Sequence, residues 1–571
     1  MIDAKSFLIE SVPFLDVLPA LDALPGRTVA WKMSPKSNEQ LAANTQHGKR
    51  HKPISVAQAS PAPLPVSPTH QSARMVATKA PARQPGVILD YDLINSTQTN
   101  FTFYGDTTYY ATNYVSLFGT TILEGGTVAK GIQWDGGVAT GTFIVYGAFE
   151  CRTSPYRPAI FTAVDDDTVG EVITGVSTGT PTNYYRGSLW FSTTNSVVVS
   201  NYCARYAIAG CSINPGTSPT LRHLQLVSCL TAIDKYSDSC SLQNILIEKG
   251  DVAIKGWSAS LSAEHLTVNG TSVFFYSVTN ATYPTESTLA VTNSLLVDVT
   301  YTNSYTGSWN GTSSSATATF QTVGAGNHYL LPNSSYRNAG TTNITPTLLA
   351  DLKRRTTYPP IVLSNDFTVA TILSPQAQRD TDAPDLGYHY APLDYCWSGL
   401  NLTNATLTLT NGVAVGIYGI QGTLLRTGAI FVSEGTPVDL NRLVRYQTVQ
   451  EQPFIWGTNA TTMGLLELNG GSLPLQIHLR HTDVSVMANT SARRTLVKAA
   501  SGDDLVSPFV IVDSRLRGIS QSFSDCFNPG RVIAWTNNVL DRCSLNWSHS
   551  RPRGFEEMGW NFLRAPATRQ G

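Results

Sequence analysis

Two acidic groups have the spacing to hold a hard cation. Asp380, Asp382 and Asp385 alternate along Arg379-Asp380-Thr381-Asp382-Ala383-Pro384-Asp385-Leu386-Gly387, and on an extended loop this sets their carboxylates on one side, where Ca2+ takes oxygen ligands. Glycine comes only at Gly387, so the calcium-loop pattern is incomplete, and a turn whose Asp side chains bond their own backbone is the competing reading. Asp165 and Asp167, with Glu171, form the densest acidic group, and Gly170 permits a tight turn among them. A charged turn is the competing reading there. A structural Ca2+ is the one cofactor these residues lead us to expect. The eight cysteines never take the CxxC spacing that presents two thiolates to zinc, and they fit either disulfides or buried free thiols.

A second set of residues suits ligand binding. His223, Asn244 and His265 recur at an offset of 21 residues and read as an outward polar column. Histidines two turns apart in a coil stand about 10 Å from each other, too far to share a metal. The same turns carry no paired carboxylates such as a glycoside hydrolase needs. Tyr301, Tyr305 and Trp309 share a loop and present rings able to stack on sugars, although packing over an edge is the commoner use of such rings. His223, His265, Tyr301, Tyr305 and Trp309 are therefore the candidate ligand-binding residues, and no catalytic residue is assigned.

The elements positioning these side chains follow from internal repetition. Leu221 to Ile233, Leu242 to Ile254 and Ala263 to Phe275 align without gaps at the 21-residue offset. Leu224/Ile245/Leu266, Leu226/Ile247/Val268 and Ile233/Ile254/Phe275 form apolar columns, while the polar residues between them vary. About that many residues make one turn of a coil whose stacked strands share a continuous core. Asn293-Ser294-Leu295-Leu296-Val297 repeats the pattern of Asn244-Ile245-Leu246-Ile247 after a seven-residue insertion. A comparable opening order recurs at Asn404 to Gly416, so the chain starts a coil twice. Between the coils, Thr345 to Arg355 reads as one short helix with Thr345 as N-cap, Pro346 at its first position and cations at its end.

Composition narrows the function classes. Only 14% of residues are charged and the formal net charge is -1, which argues against a nucleic-acid partner. The 42% hydrophobic content argues against overall disorder, and no apolar run is long enough for a membrane-spanning helix. The expected organisation is an irregular N-terminal region with a Pro/Ala-rich linker over 1–86, a first coil over 87–315, an irregular connector with one helix over 316–395, a second coil over 396–548, and an irregular tail over 549–571. The linker includes the basic run Lys49-Arg50-His51-Lys52, and residues 6–26 make a poor signal peptide.

The segments TTILEGGTVAKG, FIVYGAF, YRPAIFTAVDDDTVGE and RDTDAPDLGYHYAPLDY resemble those of bacterial right-handed parallel β-helix repeat proteins of verrucomicrobial type, over roughly residues 95–548. That resemblance implies an all-β fold, a pectate-lyase-like solenoid in two tandem coils, and export to the cell surface, with no assigned activity. The functional expectation is an exported, monomeric, non-catalytic surface or adhesion-type protein whose partner is a polysaccharide or a cell-surface protein. The alternative is a polysaccharide lyase or glycoside hydrolase on the same fold.

Overall fold

The computed structural model describes residues 91–132, 141–181, 185–419, 421–454, 464–468, 475–499, 506–522, 533–546, 555–557 and 562–564. The expected linker over 1–86, with its basic run, lies outside them, as does Cys526. Leu89–Gly571 forms one compact unit.

Leu242, Ile247 and Ile254 are buried apolar residues of the strand Ser239–Trp257 and need a partner surface to cover them. The next strand, Ser260–Val278, buries them by pairing in parallel with Leu242 opposite Ala263, Ile247 opposite Val268 and Ile254 opposite Phe275. The 21-residue repeat is thus the register of the sheet. Upstream, Leu221 pairs with Leu242, Leu226 with Ile247 and Ile233 with Ile254. After Val278 the offset widens to 28, with Leu261 opposite Leu289 and Val268 opposite Leu296. No side chain in these columns is more than 3% exposed. This first stack belongs to a 20-stranded sheet joined by parallel pairing, from Asp92–Ile94 to Gly311–Ser313. The described residues are nearly all β apart from short helical pieces, and their long parallel sheets make a solenoid-like build.

A second stack follows, in which the chain visits three parallel sheets in rotation. Ala414–Ile417 joins an eight-stranded sheet, Thr423–Leu425 a four-stranded one and Ile430–Glu434 a seven-stranded one, before Asn441–Arg445 returns to the first. This stack begins inside the stretch expected to be an irregular connector, because Ile361–Val362 already pairs with Tyr395–Trp397 and Thr371–Leu373 with Thr406–Leu409. It also passes residue 548, since Phe555–Glu557 and Phe562–Arg564 pair onto it. Strands of two or three residues are too short to show an alternating pattern, which is why they read as irregular.

The helix runs over Pro346–Leu352. Thr345 precedes it but makes no side-chain cap bond, and its backbone N–H donates to Glu264 Oε1 at 3.0 Å instead. Lys353, Arg354 and Arg355 fall beyond its last turn. The seven described cysteines are free thiols, and all but Cys151 are buried. No helix among the described residues is long and apolar enough to cross a membrane.

The two stacks lie against each other. Val128, Ile160 and Cys203 of the first pack with Met487 and Ala488 of the second. Buried charges cross the same seam: Arg542 bonds Glu124 at 3.0 Å, and Arg517 bonds both Asp483, at 2.9 Å, and Ser154 Oγ, at 3.0 Å. Gly387 marks a close approach of the connector to the first stack. Its φ is +87°, its N–H donates to Asn293 O at 2.8 Å, and a Cβ there would stand 2.4 Å from Thr267 Oγ1. Gly387→Ala should therefore destabilise the fold by about 1–3 kcal/mol, read as a lower urea midpoint at unchanged m-value; an unchanged midpoint would mean the connector yields there at no cost.

Candidate functional site

The expected outward column is covered. His223, Asn244, His265 and Asn293 all have left-handed backbones, with φ of 57°, 53°, 56° and 55°. They turn the corner between successive strands, a conformation Asn and His tolerate better than most residues. None is more than 6% exposed, because the connector lies over them. Asn244 Nδ2 donates to His223 Nδ1 at 3.0 Å and to His389 O at 2.9 Å, while its Oδ1 accepts from His389 N–H at 2.7 Å. One insertion later Asn293 repeats this, donating to His265 Nε2 at 2.9 Å and to Thr341 O at 2.8 Å and accepting from Thr341 N–H at 2.9 Å. The polar groups of the column are taken up by the chain's own connector. Burial reverses the outward reading of His223 and His265.

The acidic groups are engaged by protein donors. Asp380 Oδ2 faces His389 Nε2 at 2.6 Å and accepts from Asp385 N–H at 3.0 Å. Asp385 accepts from Arg337 at 3.1 Å, from Asn338 N–H at 2.7 Å and from the Thr357 hydroxyl. Asp382 is exposed, so the alternating carboxylates diverge. In the other group, Asp165 accepts two bonds from Thr178, and Asp167 takes the Ser177 hydroxyl at 2.9 Å with the Lys130 ammonium 3.9 Å away. Lys130, a buried lysine beside this acidic group, also donates to Glu171 O at 2.7 Å.

Among the described residues one set of three metal-capable groups converges, Glu248, His328 and Glu451, with ligand atoms within 4.8 Å of one another. Each is already satisfied. His328 Nδ1 donates to Glu451 Oε1 at 2.9 Å, and its Nε2 accepts from Asn269 at 3.0 Å. Glu451 also accepts from Asn327 N–H at 2.6 Å and Tyr390 O–H at 2.8 Å, and Glu248 is held by Lys249 at 3.0 Å and by Gln452. Burial pushes the Glu451 carboxyl up and is the largest single influence, but the interactions with His328 and the backbone N–H donors, Asn327 among them, together leave it below its ordinary value. Full satisfaction makes the set a clasp between the stacks.

An open surface with exposed aromatic rings lies along the outer face of the first stack, at strand Thr231–Tyr236 and its neighbours. Its outermost column runs Phe118, Tyr146, Ser192, Asn214, Tyr236, Trp257, each one position beyond paired core residues. Phe118 and Tyr146 are 44% and 40% exposed and stack with centroids 5.0 Å apart and planes at 11°. Tyr236 and Trp257 stack at 5.3 Å and 7°, with Tyr283 from the insertion leaning on both. The neighbouring column carries Trp190, Asp234, Lys255 and exposed Tyr276. Asp234 accepts from Trp257 Nε1 at 2.9 Å and from Tyr236 O–H at 3.2 Å, locking that stack, and Asn214 accepts from Trp190 Nε1 at 2.6 Å. Of the aromatics expected to bind, Tyr301 and Trp309 are exposed and Tyr305 packs edge-on against Phe274 at 5.4 Å, so the loop does not gather them into one platform. The ladder escapes a reading that ends each repeat at Ile233 and Ile254; three residues further, Tyr236 and Trp257 stand at the same 21-residue offset.

No protein-family model matches the chain, and no curated protein matches it.

Burial, aided by Arg355 and opposed by Asp351, lowers His223 to about 3, and burial and the nearby His389 hold His265 well below its ordinary value. An unfolded histidine titrates near ~6.5. Below that pH the unfolded chain takes up protons the folded chain refuses, so stability is full above it and falls as pH drops, by at most ~1.4 kcal/mol per pH unit for each histidine. Urea midpoints should therefore decline between pH 6.5 and 4.5. The double variant His223→Asn/His265→Asn, which puts in the residue already used at 244 and 293, should flatten that decline; an equal slope in wild type and variant would assign the acid sensitivity elsewhere.

Proposed function

We propose that this chain is a right-handed parallel β-helix that binds an extended glycan along the aromatic outer face of its first coil, as an exported, non-catalytic, adhesion-type surface protein. The right hand follows the rule for parallel strands joined by crossovers, and export rests on the resemblance in the sequence. The observation that carries the reading is the ladder itself. Two flat aromatic stacks, Phe118/Tyr146 and Tyr236/Trp257, lie at its ends with Trp190 between them. At ~4.8 Å per turn the column from Phe118 to Trp257 spans roughly 24 Å, the reach of several sugar units. Rings take the apolar faces of sugars, and hydroxyls find Asn214, Asp234 and Lys255 within the same surface.

Charge and geometry separate this from neighbouring readings. Lys255 is the one cation in the two columns and sits with its ammonium 4.6 Å from the Trp257 ring, so there is no basic track for a nucleic acid to follow. Asp234 is their one carboxylate and is committed to Trp257 and Tyr236, whereas glycoside hydrolysis needs a pair flanking the bond.

Affinity electrophoresis of the full chain against neutral β-glucans and xylans, and against pectate and alginate with and without Ca2+, tests the proposal. The expected result is retardation by a neutral glycan without release of reducing ends, weakened more than about fivefold in Tyr236→Ala/Trp257→Ala and unchanged in Tyr301→Ala/Trp309→Ala. Release of reducing ends or unsaturated products would replace it with a polysaccharide-degrading enzyme.

A further inference from the structure

The start of the second stack is an open end. Its first turn supplies the outermost edges Ile361–Val362, Phe367 and Thr371–Leu373, and among the described residues each pairs on one side only, with Tyr395–Trp397, Leu402 and Thr406–Leu409. Ile361 heads the core column of Tyr395, Val415 and Leu443. Those three are buried, yet Ile361 is 45% exposed, so the column ends in solvent. Val362, Val369 and Ile372 of the same turn are 46%, 70% and 72% exposed, and Leu363 is only partly covered.

Water is a poor neighbour for such an end, and edge strands are usually blunted by a charge, a proline or a bulge. Ile361–Val362 and Thr371–Leu373 have none of the three. From Thr356 to Gln378 the chain carries one charged residue, Asp366, and its carboxylate accepts from the Asn401 N–H at 2.8 Å and from Asn401 Nδ2 at 2.9 Å. A surface so poor in charge does not repel a copy of itself. The other stack ends match it badly. The first stack opens on a strand holding Asp92 and closes on Thr306–Ser308 and Gly311–Ser313, while the second closes on strands holding Glu556, Glu557 and Arg564.

The outer edge is also self-complementary. Thr371 and Leu373 pair with the core residues Leu407 and Leu409 and face inward, and Ile372 between them faces outward beside Thr408. Antiparallel pairing of this strand with a copy of itself about Ile372 sets Ile372 against Ile372 on the outer face and Thr371 against Leu373 on the inner one. A contact of like with like closes as a two-fold dimer and does not grow into a fibre.

We propose that the start of the second stack is an interface between two copies of this chain, which abut end to end across a two-fold axis at Ile372 and bring the open core ends, Ile361 and Leu363, together. The proposal does not depend on the glycan reading.

Sedimentation velocity of the full chain over a range of concentrations tests it. Reversible association that stops at twice the mass of one chain is expected. Ile372→Lys should weaken that association more than about tenfold, because two ammonium groups would face each other across the axis. Val369→Lys should weaken it as well, and both variants should keep the far-UV circular dichroism of the wild type, since neither side chain is buried. Val438→Lys, at an 87% exposed residue outside this turn, should leave the dimer intact. Ile372→Cys should give a disulfide-linked dimer on mild oxidation that the wild type does not give. A single chain at every concentration would return the protein to the monomer expected from its sequence and leave this end to a different partner. Association unchanged in Ile372→Lys would place the interface elsewhere, and growth beyond two chains would make the contact heterologous. Any of these, or no cross-link in Ile372→Cys, would overturn the proposal.

Discussion

Four residues held at left-handed backbone angles, His223, Asn244, His265 and Asn293, are the constraint on which the rest of the structure depends. Each turns a sharp corner of the coil, and each corner leaves backbone and side-chain polar groups facing outward. Stacking brings the side chains into one line, where Asn donates to His across the turns. The amide groups left over grip the connector at Thr341 and His389. That grip sets Tyr388 and Tyr390 in place, and with them the Gln225 contact and the clasp to Glu451. A corner motif that any coil of this kind requires has here become the attachment point for everything that follows residue 336.

The covered face of the first stack shows how such an attachment is made affordable in polar terms. Lys130, Arg205 and Glu248 occupy its outward columns, where an isolated coil would leave them in water. With the second stack in place they are at most 2% exposed. Lys130 meets Glu171 and Asp167, Arg205 lies 3.8 Å from Asp166, and Glu248 meets Lys249 and Gln452. Removing one partner from such a seam is far more damaging than its net contribution suggests, because the other charge is left buried.

How much of this was legible in the residues depends on the range of the contacts. The 21-residue register could be read because Leu226, Ile247 and Val268 are apolar and nearly adjacent in the coil. The insertion before Thr288 was visible for the same reason. The covering of His223 was not, because its lid arrives from Asp351 and His389, well over a hundred residues away in the chain, and nothing local to a polar column says whether water or protein lies above it. The protein partners of Asp380 and Asp385 were hidden for a related reason: alternating carboxylates look alike in the sequence whatever they face, and here they face His389 and Arg337. The aromatic ladder was within reach of the repeat itself, since Tyr236 and Trp257 keep its period.

The insertion between Val278 and Thr288 delivers Tyr283 onto the Tyr236 and Trp257 rings, after which the pairing resumes with Leu261 opposite Leu289. Core and surface are thereby uncoupled at this corner. A longer or shorter excursion there would change what stands over the rings while every buried column keeps its alignment. Descendants of this chain can vary their recognition surface at that one bend without renegotiating their folding, so divergence among them should accumulate there as length variation before it reaches the strands.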